Sequence, residues 1–173
     1  MIIFHPNAAT IPLMVDVRGR RCLVAGDTDM ARARAKWLRE AGADVVAGTE
    51  PTGGASWDGV WLVWAATGSP ERDAELTAEA HRRGILANAH DQPAASSFYM
   101  PAILRRGPLS IAVGTDGTLP ALAVKVRDAL AAIIGPEAEP LIEAAAAKRR
   151  ESRDQDWDAL LAPIISLITG NNT

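Results

Sequence analysis

The sequence predicts an α/β fold built on an open, mostly parallel sheet. Three observations carry that expectation. Short apolar runs of strand length, at 21–25, 61–66 and 84–87, each close on turn residues. Between them lie stretches with apolar residues at helical spacing, at 30–41 and 70–83. Glycine punctuates the changeovers, at Gly26, Gly42, Gly68 and Gly84.

Residues 10–17, Thr-Ile-Pro-Leu-Met-Val-Asp-Val, read as an entering strand, and Arg18-Gly19-Arg20 as a tight turn. The run from Arg21 to Gly26 has the outline of a buried parallel strand. Asp27 or Thr28 can cap the following helix, whose apolar stripe is Ala31, Ala35, Leu38 and Ala41 and whose polar face carries Arg32, Arg34, Lys36 and Arg39. Gly42 stops it, and Ala43–Ala47 is a second strand, which completes a βαβ unit with a right-handed connection. Residues 50–58 are rich in Gly, Pro, Thr and Ser and read as a loop. Ser69 caps a helix with Pro70 at its first position, and Gly84 ends it before a further short strand.

In such a sheet, ligands sit beyond the carboxyl ends of the strands, so the turns after Ala25, Ala47, Ala66 and Ala89 share one edge. The first of these turns, Gly26-Asp27-Thr28-Asp29-Met30-Ala31, retains the first glycine and last alanine of a dinucleotide fingerprint. Thr28 replaces its middle glycine, and Asp27 and Asp29 add like charge near any pyrophosphate unless they point away. An ordinary capped βα turn and a dinucleotide site are both compatible with these residues. The last turn carries Asn88-Ala89-His90-Asp91-Gln92-Pro93. Asp91 is there either as a turn and cap residue or as a proton-transfer group. Strand alternation puts His90 on the face opposite Asp91, as a packing or surface histidine rather than a proton relay.

After this point the period changes. Residues 97–104 and 107–113 are two extended segments joined at Arg105-Arg106-Gly107, with prolines that suggest edges or bends. A turn over 114–120 leads to a helix over 121–134, and 139–153 and 157–168 read as two further helices. Lys148-Arg149-Arg150 reads as a solvated helix face. No internal repeat, metal-ligand spacing or nucleophile elbow is present in the sequence.

The totals narrow the function classes. At 173 residues the chain accommodates one domain with a real core and a smaller appendage. A net charge of -3 gives no basic footprint for nucleic acid. No run approaches the ~20 apolar residues of a membrane span, and the start lacks a signal-peptide pattern, so a cytoplasmic location is expected. The single cysteine, Cys22, lies inside a strand and is expected as a buried thiol rather than a nucleophile.

Read together, these residues resemble the precorrin-2 dehydrogenase and sirohydrochlorin ferrochelatase family, of the siroheme synthase N-terminal type. The resemblance rests on the joint order of Pro12-Leu13, residues 19–24, Glu40-Ala41-Gly42-Ala43, Ala65-Ala66-Thr67, Asn88 with Asp91 and Pro93, residues 97–103, Arg106-Gly107-Pro108-Leu109, and Gly117-Thr118 with residues 120–123. It implies a Rossmann-like nucleotide-binding domain over 1–93, a dimerisation and active-site segment over 94–135, and a small helical part over 136–173. It further implies a homodimer that oxidises precorrin-2 to sirohydrochlorin with NAD and often inserts ferrous iron as the substrate metal. The essential aspartate of the family falls on Asp91, with Asn88 beside it, and a family serine near the tetrapyrrole falls on Thr115. Arg105, Arg106 and Lys125 are candidates to pair with substrate carboxylates. Nucleotide contacts fall on Gly26, Thr28, Asp29, Met30, Ala65, Ala66 and Thr67, with no resident metal ligand. Against the family's three consecutive glycines this chain has Gly26-Asp27-Thr28, and against its basic pair, Ala33-Arg34. A metal chelatase without dehydrogenase activity and a non-catalytic tetrapyrrole-binding homologue are the alternative readings.

Overall fold

A computed structural model describes residues 10–48, 54–151 and 156–170. Ile11–Tyr99 forms one compact unit, and the described residues from Met100 onward belong to a second.

In the first unit, β1 (Arg21–Ala25), β2 (Asp44–Ala47), β3 (Val60–Ala65) and β4 (Leu86–Ala89) form a parallel sheet in the order β2-β1-β3-β4. Two helices connect it, α1 (Asp29–Glu40) after β1 and α2 (Pro70–Arg82) after β3. The parallel α/β class expected from the sequence is therefore the observed one. Alternate strand residues face opposite helices, as a period of two requires. Leu23, Ala25, Val63, Ala65 and Ala87 form one core cluster with Leu76 and Ala80 of α2. On the other face, Trp64 meets Trp37 of α1 edge-on at 6.4 Å, and Phe98 edge-on at 5.3 Å. The Arg34 guanidinium lies 4.7 Å from the Trp64 ring, and its buried Nε has no hydrogen-bond partner. Burial pushes its pKa down, and the ring face gives the cation a favourable contact.

Cys22 is fully buried in β1, as expected. Burial, followed by the nearby Asp44 charge, raises its thiol to about 11, so it is protonated at neutral pH and is no nucleophile.

Two expectations are corrected. Residues 10–17 form no strand. Their alternation of apolar residues is real, but no described strand pairs with them, and Ile11, Leu13 and Val15 are half or more exposed. The Arg18-Gly19 turn that follows does form, closed by Arg20 N–H donating to Val17 O at 3.0 Å, with Gly19 at φ +66°. Within the expected loop, Gly54–Trp57 makes a turn of 3₁₀ helix; residues 50–53 lie outside the described residues.

In the second unit, β5 (Ala102–Arg106) and β6 (Leu109–Val113) form an antiparallel hairpin. Its two-residue loop, Gly107-Pro108, needs the left-handed conformation that Gly107 supplies at φ +53°. Three helices follow, α3 (Pro120–Ile133), α4 (Ala138–Glu151) and α5 (Trp157–Thr169). Leu104, Ile134 and Ala138 centre its core, with Ile142, Leu167 and Ile168 packed against them. Helix α3 leaves Leu122, Val124, Val126 and Ile133 exposed and buries only Ala123.

Candidate functional site

The strand order reverses between β1 and β3, so the turns that leave these two strands lie side by side at the carboxyl edge of the sheet. This is the crevice in which open α/β sheets bind ligands. Gly26 leaves β1 at φ +104°, and a Cβ placed there would lie 2.3 Å from Ala66 O and 2.6 Å from Thr67 Cα. Thr28 caps α1, accepting from Ala31 N–H at 3.1 Å while its hydroxyl donates to Ala66 O at 2.8 Å. The extra side chain of Thr28 is thus folded onto the neighbouring turn. Beyond it, the Asp29 and Met30 amides at the head of α1 have no protein acceptor among the described residues.

The charge question raised by Asp27 and Asp29 is answered by Arg32. Its guanidinium reaches Asp27 Oδ1 at 2.6 Å and Asp29 Oδ1 at 2.7 Å, and also donates to Asp27 O. Two carboxylates and one cation leave a single net negative charge in place of two. All three groups are exposed, so the pairing contributes little stability, but it ties both acids to the outside of α1.

On the adjacent turn, Ala65 and Ala66 are buried and Thr67 is partly exposed. Asp73 of α2, 3 % exposed, accepts from Thr67 N–H at 2.9 Å and from its hydroxyl at 2.8 Å. A buried carboxylate therefore fixes this turn. From the sequence Arg32 was only a polar-face residue of α1, with no role in the turn, and Asp73 was not singled out. The signal for Arg32 was its spacing of three from Asp29, and for Asp73 its place among Leu76, Thr77 and Ala80 on the inward stripe of α2.

At the end of β4, Asn88 is half-buried and its amide donates to Phe98 O at 2.8 Å, anchoring the chain that returns along the strand. Asp91 adopts φ +56°, a left-handed conformation uncommon for a residue with a side chain, and its carboxylate is 88 % exposed. The turn around it is fixed by Ser96, whose hydroxyl accepts from Ala89 N–H at 3.0 Å and donates to Gln92 O at 2.8 Å. His90 does not point away from Asp91, as alternation suggested; its Nε2 lies 3.6 Å from Asp91 Oδ2. Alternation fails because β4 stops at Ala89 and the chain turns left-handed at Asp91.

The remaining candidates are in the second unit. Arg105 is exposed and has no side-chain partner among the described residues. Arg106 donates from Nε to Ile134 O at 2.9 Å and from Nη1 to Arg105 O at 2.9 Å, so part of its guanidinium holds the end of α3. The Thr115 hydroxyl accepts from Leu119 N–H at 3.2 Å within the turn that precedes α3, and Lys125 is exposed on that helix.

A cavity of about 350 Å³ adjoins the β1 turn, bounded by Gly26, Ala31 and Ala35 on one side and by Ala47 and Gly48, at the end of β2, on the other. Small residues line it together with Asp27, Arg32 and Arg39, and a Cβ at Gly48 would meet nothing within 4 Å. Free helix amides, a Thr28 side chain turned inward, the halving of the turn's negative charge by Arg32 and this adjoining space together fit the phosphates and one ribose of a dinucleotide.

Comparison with known proteins accords with this geometry. The family described as "Putative NAD(P)-binding" matches residues 13–102, over half of the chain. Siroheme synthases of Salmonella arizonae and Citrobacter koseri are each 33% identical over 144 residues, 72% of this chain and 32% of theirs; that of Salmonella typhi is 31% identical over the same span. The chain thus spans about a third of the length of these relatives. In fold it is similar to the solved structure "SirC, precorrin-2 dehydrogenase", with a TM-score of 0.68 and 18% identity over 92% of this chain and 89% of that one. The chain belongs to the NAD(P)-binding family and is, over most of its length, a relative of the siroheme synthases.

Proposed function

We propose that this protein acts in siroheme biosynthesis, oxidising precorrin-2 to sirohydrochlorin with a nicotinamide dinucleotide. The observation that carries the reading is Asp91. It is an exposed carboxylate at the carboxyl end of a strand, on the edge of the sheet where ligands bind, and the left-handed turn holds it there. The dinucleotide, when bound, supplies the hydride acceptor. Gly26, Thr28, Asp29 and Met30, with the Ala65-Ala66-Thr67 turn, hold its phosphates and exclude water at the switch point. Asp91 accepts the proton that the oxidation releases, and Asn88 keeps the strand end in place. In the second unit, Arg105, Thr115 and the free donors of Arg106 are the groups whose charge and hydrogen bonding suit the acidic substituents of a tetrapyrrole.

The proposal extends to insertion of ferrous iron as the substrate metal, since pyrrole N–H protons must then leave and Asp91 can take them too. It also includes a homodimer, supported by the apolar face that α3 leaves exposed, and a cytoplasmic setting, which suits a free buried thiol. Sedimentation is expected to return twice the 18.3 kDa chain mass at micromolar concentration, and a monomer would remove that part of the proposal. The reaction itself is tested by anaerobic turnover of precorrin-2 with NAD⁺ and, separately, NADP⁺. Matched appearance of reduced nicotinamide and sirohydrochlorin is expected with at least one. No turnover with either, and no binding of either by calorimetry, would leave chelation or tetrapyrrole carriage in its place.

A further inference from the structure

Beside Asp91 stands an ionisable group that the proposed reaction leaves unused. His90 Nε2 lies 3.6 Å from Asp91 Oδ2, too long for a hydrogen bond but within ion-pair distance. Hydrogen bonds on both sides fix the pair. The His90 N–H donates to Ala65 O at 2.9 Å, which carries the parallel ladder one residue beyond the end of β4. On the far side of Asp91, Gln92 Nε2 donates to Pro70 O at 2.9 Å and ties the turn to the head of α2. Between these anchors the left-handed turn at Asp91 brings the two side chains together. The His90 side chain is 40 % exposed, and its ring has no other hydrogen-bond or ion-pair partner among the described residues. The ionisable groups of the surrounding elements are engaged elsewhere. In the first turn of α2, Glu71 accepts from the Ser69 hydroxyl at 3.0 Å and Asp73 holds Thr67. Arg34 of α1 is stacked on Trp64, and Tyr99 donates to Pro93 O at 3.3 Å. β3, β4 and residues 93–97 carry no ionisable side chain.

We propose that His90 is the exit for the proton that Asp91 takes up: it receives that proton from the Asp91 carboxyl group, releases it to water, and so resets Asp91 for the next turnover. The proposal rests on the oxidation reading above and adds a second residue to it. The oxidation removes a hydride and a proton from the tetrapyrrole; the hydride goes to the nicotinamide and the proton to an Asp91 oxygen. In the free protein Asp91 is 88 % exposed and can lose that proton directly to water. A planar macrocycle close enough to react at Asp91 shields the carboxylate from solvent and leaves the neighbouring imidazole as the nearest base. An imidazole is ordinarily a stronger base than a carboxylate, so transfer to His90 Nε2 runs downhill, and a shift of about 1 Å closes the contact to a hydrogen bond. His90 acts on Asp91 and not on the substrate, so it is not itself a catalytic residue. Only the neutral imidazole can accept a proton, so turnover should rise with pH across about pH 5–8, the range in which histidine changes charge.

The test compares anaerobic precorrin-2 oxidation by the unaltered protein and by His90→Gln across that pH range. Glutamine keeps the backbone N–H that bonds Ala65 O and places no base beside Asp91. At the upper end of the range, kcat of His90→Gln should be lower by roughly 10-fold, short of the effect of losing the proton acceptor itself, with KM within about threefold. At the lower end the two proteins should converge, because a protonated imidazole accepts nothing, and the profile of the variant should lack the rise. Free imidazole should restore part of the lost rate to the variant, which distinguishes a missing base from a disturbed fold, and His90→Asn should repeat the result. In an Asp91→Asn background, the same change at His90 should cost nothing further. Equal rates at the upper end of the range, a rise with pH that survives in His90→Gln, or an undiminished loss in the Asp91→Asn background would overturn the inference and leave the oxidation reading standing. No turnover by the unaltered protein with either nicotinamide dinucleotide would overturn that reading and this inference with it.

Discussion

Replacing Asp91 with asparagine is expected to lower precorrin-2 turnover by about 10²–10⁴-fold, the range associated with loss of a positioned proton-transfer group. Asparagine is the informative substitution because of the backbone. Asp91 sits at φ +56°, where asparagine and aspartate are both tolerated and alanine is strained. The asparagine variant therefore keeps the turn fixed by Ser96, and only the proton acceptor is lost. Its unfolding midpoint should match that of the unaltered protein, and tetrapyrrole affinity, read by absorbance titration, should stay within about threefold. Under those two controls, undiminished turnover would show that Asp91 is a turn residue and would remove the proposed chemistry. Iron insertion measured on the same variant reports whether one carboxylate serves both reactions. Equal loss in both assays is the expected result.

Much of the fold could be read from the sequence because its signals are local. The run 21–25, the Thr28 cap, the Ala31-Ala35-Leu38 stripe and Gly42 each owe their state to neighbours a few residues away, and each lies where expected. Ser69 and Pro70 at the start of α2 belong to the same class. What failed depended on distant partners. The alternation in residues 10–17 could make a strand only if another strand lay beside it, and a sequence pattern does not supply that neighbour. The site divides in the same way. Gly26 and the Asp91 turn were legible as strand-end features. The Arg32 link to Asp27 and Asp29, the Asp73 anchor of Thr67 and the approach of His90 to Asp91 all depend on how a turn directs side chains, which spacing does not report.

The largest effect on stability is expected at Gly26. Gly26→Ala should destabilise the protein by roughly 4 kcal/mol, from two costs that add. A left-handed backbone at φ +104° is strained for any residue with a Cβ, by about 1–3 kcal/mol. The added methyl also lands 2.3 Å from Ala66 O and 2.6 Å from Thr67 Cα, so the β1 and β3 turns must move apart, a further overpacking cost of about 1–3 kcal/mol. Gly48→Ala separates the two. Gly48 has φ +82°, but its Cβ would meet nothing within 4 Å, so only the backbone cost of about 1 kcal/mol applies. Urea unfolding of both variants, compared at equal slope, measures the difference. Equal losses would mean that the close approach of the two turns carries no energy. A larger loss at Gly26 would show that the glycine is required first by the fold, because it lets β1 leave the sheet directly beneath the β3 turn. Any cofactor contact at that position then depends on a geometry that packing has already imposed.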